Sequence, residues 1–223
     1  MRIGVIGSGG VGQNLAAGFA AKGHDVVIGT RDPKSSLAKM GTTPMGVPEL
    51  GAWAKVNPKV KVVTFAEAAR HGEACVLAVH GENTAEAVKA AGPDNLAGKL
   101  VFDTGNPLEF GPGGIHKHKA VPDSCLQVAQ RAAPKAKFVK AFNCTPGHLM
   151  VNPKHKGDQL ICGDDAQAKE QATKLLKELG WNVADVGTAD KAPYVEATAI
   201  AACNYALAKN DWNWVIALPG RNP

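Results

Sequence analysis

The sequence predicts an α/β fold built on a doubly wound, mainly parallel sheet. Three observations carry this. Short apolar runs alternate with segments of helical periodicity, the pattern of βα units. Several runs, such as Ala74-Cys75-Val76-Leu77, are apolar without alternation, as strands covered on both faces must be. A glycine-rich turn, Gly7–Gly12, joins the first strand to the first helix.

Strands are expected at Ile3–Ile6, Val26–Gly29, Val60–Val63, Ala74–Val79, Leu100–Phe102, Phe138–Ala141, Gln159–Cys162 and Val183–Val186. Helix starts are marked by Thr64-Phe65-Ala66-Glu67, Asn83-Thr84-Ala85-Glu86, Ser124-Cys125-Leu126-Gln127 and Asp164-Asp165-Ala166-Gln167. Each pairs a short polar cap with a Glu or Gln three residues on. Gly23 and Gly180 stand where a helix end favours positive φ. Before Gly180, Ala172, Leu175, Leu176 and Leu179 repeat at the spacing of one buried helix face. Pro193–Leu218 reads as one long helix, with a break signal at Asn210-Asp211. Its Ala197, Ile200, Ala201, Tyr205 and Leu207 cover more than one face, so more than one side must be buried. A second copy of the chain, anchored by Trp212 and Trp214, would cover the side its own sheet does not. Leu108–Pro122, with Gly111-Pro112-Gly113-Gly114, reads as a mobile surface loop. The expected organisation is one domain over 1–223: a nucleotide-binding core, 1–143, and a C-terminal part, 144–223, that completes the cleft and supplies the homodimer interface.

The 223 residues suffice for one sizeable core. The formal charge of +5 is spread along the chain, which suits a small anionic ligand better than nucleic acid. Five cysteines with no CxxC pair argue for a reducing compartment. No apolar run is long enough to span a bilayer, and the N-terminus does not resemble a secretory signal. A cytoplasmic protein without membrane or nucleic-acid partners is expected.

Gly7-Ser8-Gly9-Gly10-Val11-Gly12 fits the GxGxxG pattern, directly after an apolar strand and at the start of a helix. In that context Gly7 permits the tight turn, Gly9 admits a pyrophosphate to the backbone, and Gly12 allows close helix–strand packing. The helix N-terminus then faces the phosphates. The second strand ends in Gly29-Thr30-Arg31-Asp32-Pro33-Lys34. A carboxylate at the strand tip would favour NAD; here Thr30, Arg31 and Lys34 offer a hydroxyl and two cations to a 2′-phosphate. NADP is therefore favoured. Asp32 keeps NAD open, or else caps the turn before Pro33.

Further markers are Val27-Ile28-Gly29-Thr30-Arg31-Asp32-Pro33, Asp103-Thr104-Gly105-Asn106-Pro107, Val139-Lys140-Ala141-Phe142-Asn143-Cys144, Leu149-Met150-Val151-Asn152-Pro153 and Ile161-Cys162-Gly163-Asp164-Asp165. Together they resemble the coenzyme F420-dependent NADP oxidoreductase family, and the nucleotide-binding fold is similar to the cytosolic domain of the STEAP metalloreductases. The resemblance implies a Rossmann-type fold and direct hydride exchange between nicotinamide and a deazaflavin. One departure stands out. Family members often carry proline after the fourth strand, whereas this chain has Ala78-Val79-His80-Gly81. A flavin, a quinone or a ferric acceptor therefore stays open beside coenzyme F420.

Ring-to-ring hydride transfer needs little acid–base help. The sequence agrees: it presents no paired carboxylates, no Ser/His/Asp constellation and no metal-ligand spacing. Positioning roles fall to His80, Asn106 and His148 at strand ends. Gly7, Ser8, Gly9, Gly10, Val11, Gly12, Thr30, Arg31, Lys34, Ala78, Val79, His80, Asn106, Pro107 and Asn143 are expected to line the cofactor, with Thr145 near the acceptor. Cys144 reads as a packed thiol, and His116 and His118 as part of a solvated basic loop. A hydroxyacid or pyrroline-type dehydrogenase fits poorly, because only 43 residues follow Gly180, too few for its helical catalytic domain. An NADP-binding redox sensor without turnover remains an alternative.

Overall fold

A computed structural model describes residues 1–44, 46–119, 121, 123–154 and 157–218. The far ends of two expected ranges, Pro122 of the loop and 219–223 of the C-terminal part, lie outside them. The strands are β1 Arg2–Ile6, β2 Asp25–Thr30, β3 Lys61–Thr64, β4 Ala74–Leu77, β5 Leu100–Asp103, β6 Leu108–Gly111, β7 Gly114–Lys117, β8 Lys137–Lys140, β9 Asp158–Ile161 and β10 Asn182–Asp185. The helices are α1 Gly10–Ala21, α2 Pro33–Ala38, α3 Leu50–Val56, α4 Phe65–His71, α5 Thr84–Ala91, α6 Pro93–Leu96, α7 Cys125–Ala132, α8 Ala166–Glu178 and α9 Ala192–Lys209.

Six parallel strands form the main sheet in the order β3-β2-β1-β4-β5-β8. The order reverses between β1 and β4, and at such a switch point the loops beyond the strand ends part to form a ligand crevice. Alternate residues of one strand feed two cores. Val5, Ile28 and Val76 pack with Leu15 and Phe19 of α1 and Leu175 and Leu176 of α8. Ile6, Val27 and Leu77 pack with α4, α5, α7 and α9 through Ala68, Val88, Leu126 and Val195. β9 and β10 form a parallel pair beside the sheet, tied to it where Lys140 N donates to Cys162 O at 2.9 Å. No described helix is long and apolar enough to cross a membrane.

All eight expected strands form. The Thr64–Glu67 capping box forms in full, and Ser124 and Asp165 accept the amides of Gln127 and Ala168. Two helix starts differ from expectation. Asn83 makes no side-chain cap, because a short 3-10 turn over Gly81–Asn83 already leads the chain into α5. The cap of α8 is Asp165, since Asp164 instead accepts from Ala189 N and Gln130 Nε2.

Two larger expectations are corrected. The supposed mobile loop contains a hairpin, β6–β7, whose Ile115 exchanges two hydrogen bonds with the Asn204 side chain of α9 (2.9 and 2.8 Å). The glycines supply the turn of that hairpin, with φ of +82° at Gly113 and +132° at Gly114. The long helix does not reach Leu218 but stops at Lys209, at the break signalled by Asn210-Asp211: Asn210 turns left-handed (φ +51°) and caps it. Beyond it the chain runs back along β9: Asp158 N donates to Ile216 O and Leu218 N to the Asp158 carboxylate.

Candidate functional site

The glycine turn divides its labour by geometry. Gly7 has φ +125°, and a Cβ there would lie 2.0 Å from Ala78 O at the tip of β4. A Cβ on Gly12 would lie 2.0 Å from Gly7 O, so α1 can seat on β1 only without one. Gly9 differs: its φ of −74° suits any residue, and a Cβ would meet nothing within 4 Å. Neither backbone nor packing demands glycine there. The cradle is open, and no side chain caps the helix behind it. These are the conditions for a dinucleotide pyrophosphate at a helix N-terminus. Gln13, 3% exposed, braces the turn by donating to Ser8 O and to Pro48 O, both at 3.0 Å. Gly10 faces the Val47 side chain, and Val11 packs against the core.

At the tip of β2, Thr30 is buried and its hydroxyl is bonded to Ser36 Oγ at 2.9 Å, so it serves α2 rather than standing free as expected. Asp32 caps α2 by accepting from Ser35 N at 3.1 Å. Its carboxylate is thereby engaged by the turn. Arg31 and Lys34 are exposed and form no ion pair among the described residues. A cavity of about 130 Å³ runs from Thr30 and Arg31 to Phe65 and Ala90.

The tips of β4, β5 and β8 meet on the other side of the switch point. Ala78 is buried, Val79 half-buried and His80 exposed, with the His80 carbonyl accepting from Asn83 N at 2.9 Å. Gly81 approaches the next tip closely enough that a Cβ would lie 2.5 Å from Asn106 O. Asn106 Nδ2 donates to Asn143 O at 2.7 Å, and Asn143 Nδ2 donates to Asn106 Oδ1 at 3.2 Å and Val195 O at 3.3 Å. Asn143 Oδ1 is buried with no partner. Phe142, with φ +63°, turns the chain so that Asn143 meets Asn106, and its amide is held by Gln159 Oε1 at 2.9 Å. Pro107 is buried, and its carbonyl accepts from His118 N.

Thr145 is buried and bonded to Gln159 Nε2 at 2.8 Å. His148 is exposed on a short turn beside the start of α1, and Asn213 of the returning chain holds its Nε2 at 3.3 Å. The two histidines share no bond. Cys144 is buried, its Sγ donates to Val195 O at 3.2 Å, and burial pushes the thiol up to about 12. Among the described residues no group of three His, Cys, Asp or Glu could hold a metal ion.

One feature escaped the sequence. Asp103 and Glu196 are paired carboxylates, both within 2.6 Å of the fully buried Lys140 Nζ. The expectation of no such pair is therefore corrected. Burial opposes the charge on Lys140, but the two carboxylates outweigh it and raise its pKa. Burial raises that of Glu196, against the pull of Lys140. The strand was expected at Phe138–Ala141, and Lys140 is the charged residue within it. A lysine there must be buried with its countercharge. Glu196 comes from a helix some fifty residues on, so no local spacing pairs it with Lys140.

The fold is Rossmann-type, with the crevice at the switch point of its sheet. A family profile described as NADP oxidoreductase, coenzyme F420-dependent, matches residues 2–107. The structure superimposes with a TM-score of 0.89 on a provisionally assigned F420-dependent NADP reductase from Arthrobacter sp. FB24, 35% identical over 98% of this chain and 99% of that one. The chain is also 29% identical, over 88% of its length, to the metalloreductase STEAP3 of Rattus norvegicus, and 26% identical, over 87%, to the metalloreductase STEAP2 of Homo sapiens. It spans 36% and 35% of those proteins, about a third of their length. The chain belongs to the coenzyme F420-dependent NADP oxidoreductase family, whose members are NADP-dependent oxidoreductases.

Proposed function

We propose that this protein binds NADP(H) across the switch point and exchanges a hydride with a planar acceptor, coenzyme F420 first among candidates. When bound, the nicotinamide supplies the hydride. The chain's own groups bind and orient: the open Gly9 cradle takes the pyrophosphate, Arg31 and Lys34 the 2′-phosphate, and the asparagine pair the carboxamide. The observation that carries this reading is Asn143 Oδ1, a buried acceptor with no partner beside an amide pair at the crevice. An unpaired buried acceptor is costly, and a primary carboxamide N–H would satisfy it. Hydride passage between two flat rings leaves one proton to be taken up at the acceptor ring, which solvent would supply, so the crevice needs no dedicated acid.

The test mixes the purified chain with NADPH and, in turn, coenzyme F420, FMN, FAD, a quinone and a ferric chelate, following the nicotinamide absorbance. Rapid oxidation with F420 alone supports the deazaflavin reading. Turnover only with flavin, quinone or iron moves the acceptor to the class suggested by the metalloreductase relatives. Tight NADPH binding without turnover on any acceptor would leave a redox sensor. His80→Ala should lower acceptor turnover about 10-fold without weakening NADPH binding, the size of a positioning effect. A loss beyond about 10³-fold would indicate a general acid and a carbonyl substrate. A homodimer is part of the same proposal. It is supported by exposed apolar residues along α9, Tyr194 at 71%, Tyr205 at 60% and Leu207 at 43%, and sedimentation tests it.

A further inference from the structure

We infer that the buried Asp103–Lys140–Glu196 cluster is a positioning device for the nicotinamide end of the crevice. It fixes the Gly105–Asn106 turn so that the asparagine pair presents a preset face to a primary carboxamide. The inference rests on the proposed NADP(H) site.

Lys140 spends all three ammonium protons inside the fold. They go to Asp103 Oδ2 at 2.6 Å, Glu196 Oε1 at 2.6 Å and the Gly105 carbonyl at 2.7 Å. The Gly105 amide donates to Asp103 Oδ1 at 2.9 Å. Both polar groups of one glycine are thus clamped by the two members of a single ion pair. The next residue, Asn106, leaves from that clamped point. Gly81 closes the turn from the β4 side, where any Cβ would strike Asn106 O.

The same cluster reaches the second asparagine through α9. Val195 and Glu196 are neighbours there. The Val195 carbonyl accepts from Asn143 Nδ2, and Glu196 Oε1 accepts from Lys140 and from Cys125 N at 2.9 Å. One turn of α9 therefore sets the height of both asparagines relative to the strand tips. Cohesion alone explains this poorly. A buried ion pair is often matched or exceeded in stability by apolar residues of the same volume. What two carboxylates and one ammonium provide is direction, because each bond ends on a particular lone pair. Orienting groups behind a site commonly act this way.

The test compares NADP⁺ with its 3-acetylpyridine analogue, in which a methyl replaces the carboxamide nitrogen, by calorimetric titration of the whole chain. Adenosine 2′,5′-bisphosphate reports the phosphate end independently. The unmutated protein should bind NADP⁺ about 10-fold more tightly than the analogue, the worth of a hydrogen bond that would otherwise leave a buried acceptor unpaired. In Lys140→Met the two affinities should converge, while bisphosphate affinity stays within about 2-fold. Should that variant fail to fold, Asp103→Asn decides. It keeps the shape but can serve only one of Gly105 N and Lys140 Nζ, so it loosens the clamp. A merely structural role would weaken all three ligands together or none. Preference kept in full by a folded variant overturns the positioning role and leaves the site intact. Absence of any preference in the unmutated protein instead removes the carboxamide site itself, and the inference with it.

Discussion

Asn106 and Asn143 are tied across the tips of β5 and β8, Asn106 Nδ2 donating to the Asn143 main-chain carbonyl at 2.7 Å and Asn143 Nδ2 to Asn106 Oδ1 at 3.2 Å, and this leaves one buried oxygen over, Asn143 Oδ1. The other side-chain polar atoms of the pair are bonded to each other or to the main-chain carbonyls of Asn143 and Val195. Asn143→Ala removes the orphan acceptor and the bonds to Asn106 Oδ1 and Val195 O. At about 1 kcal/mol for each lost bond, the fold should weaken by about 2 kcal/mol. Hydride transfer from NADPH should fall about 10-fold or more, while adenosine 2′,5′-bisphosphate binds as before. Unchanged turnover by the folded variant would separate the asparagine pair from the nicotinamide.

Two glycines of one turn should respond in opposite ways. Gly9→Val places its side chain in open space at an ordinary φ, so thermal unfolding should shift little while NADPH binding disappears. Gly12→Ala drives a Cβ toward the Gly7 carbonyl, which backbone cannot yield, and should cost about 3 kcal/mol or more. Native-like NADPH affinity in Gly9→Val would show that the turn is only structural.

Arg31 and Asp32 are neighbours with separate tasks. Arg31→Ala should erase most of the preference for NADPH over NADH, about 10- to 150-fold for an Arg–phosphate contact of about 1.5–3 kcal/mol. NADH binding should hardly change. Asp32→Ala removes the cap of α2 and should cost about 1 kcal/mol of stability without altering the preference. Competitive titration with both nucleotides checks the pair. Loss of the preference in Asp32→Ala would assign Asp32 to the cofactor.

Most of the sheet was legible because apolar runs are local facts. Ile3, Val26, Val76 and Val101 declare their strands without reference to anything distant. The glycine turn was legible as a pattern for the same reason, since Gly7-Ser8-Gly9-Gly10-Val11-Gly12 joins β1 to α1 within one βα unit. What was missed depends on contacts made far along the chain. The hairpin over Leu108–Lys117 is stabilised by Asn204, 89 residues beyond Ile115, so by composition it reads as a loop. The break of α9 at Asn210 was signalled locally, but the return of Ile216 and Leu218 along β9 was not, because it depends on Asp158. Lys140 is the instructive case: it lies in an expected strand, but its partners come from β5 and α9, far from it in sequence.

That cluster gives a pH prediction whose sign follows from burial. Glu196 faces Lys140, Asp103 and Cys125, and burial raises its pKa above the ordinary value of 4.5 despite the lysine. Below 4.5 the folded and unfolded chains both hold the proton. As pH rises past that value the unfolded chain releases it while the folded chain retains it, so deprotonation favours unfolding. The native protein therefore loses stability through the window that starts at 4.5 and ends at the raised folded value, by up to about 1.4 kcal/mol per pH unit. E196Q has no proton to release there, and its amide still offers an oxygen to Cys125 N and Lys140. Its stability relative to the native protein should thus climb as pH rises from 4.5 through the raised folded value and level off above it, where Glu196 is a carboxylate in both states. Urea unfolding of both proteins at several pH values measures the difference directly. A difference that stays constant over that range would mean that Glu196 ionises alike in the folded and unfolded chains, with Lys140 fully offsetting the effect of burial.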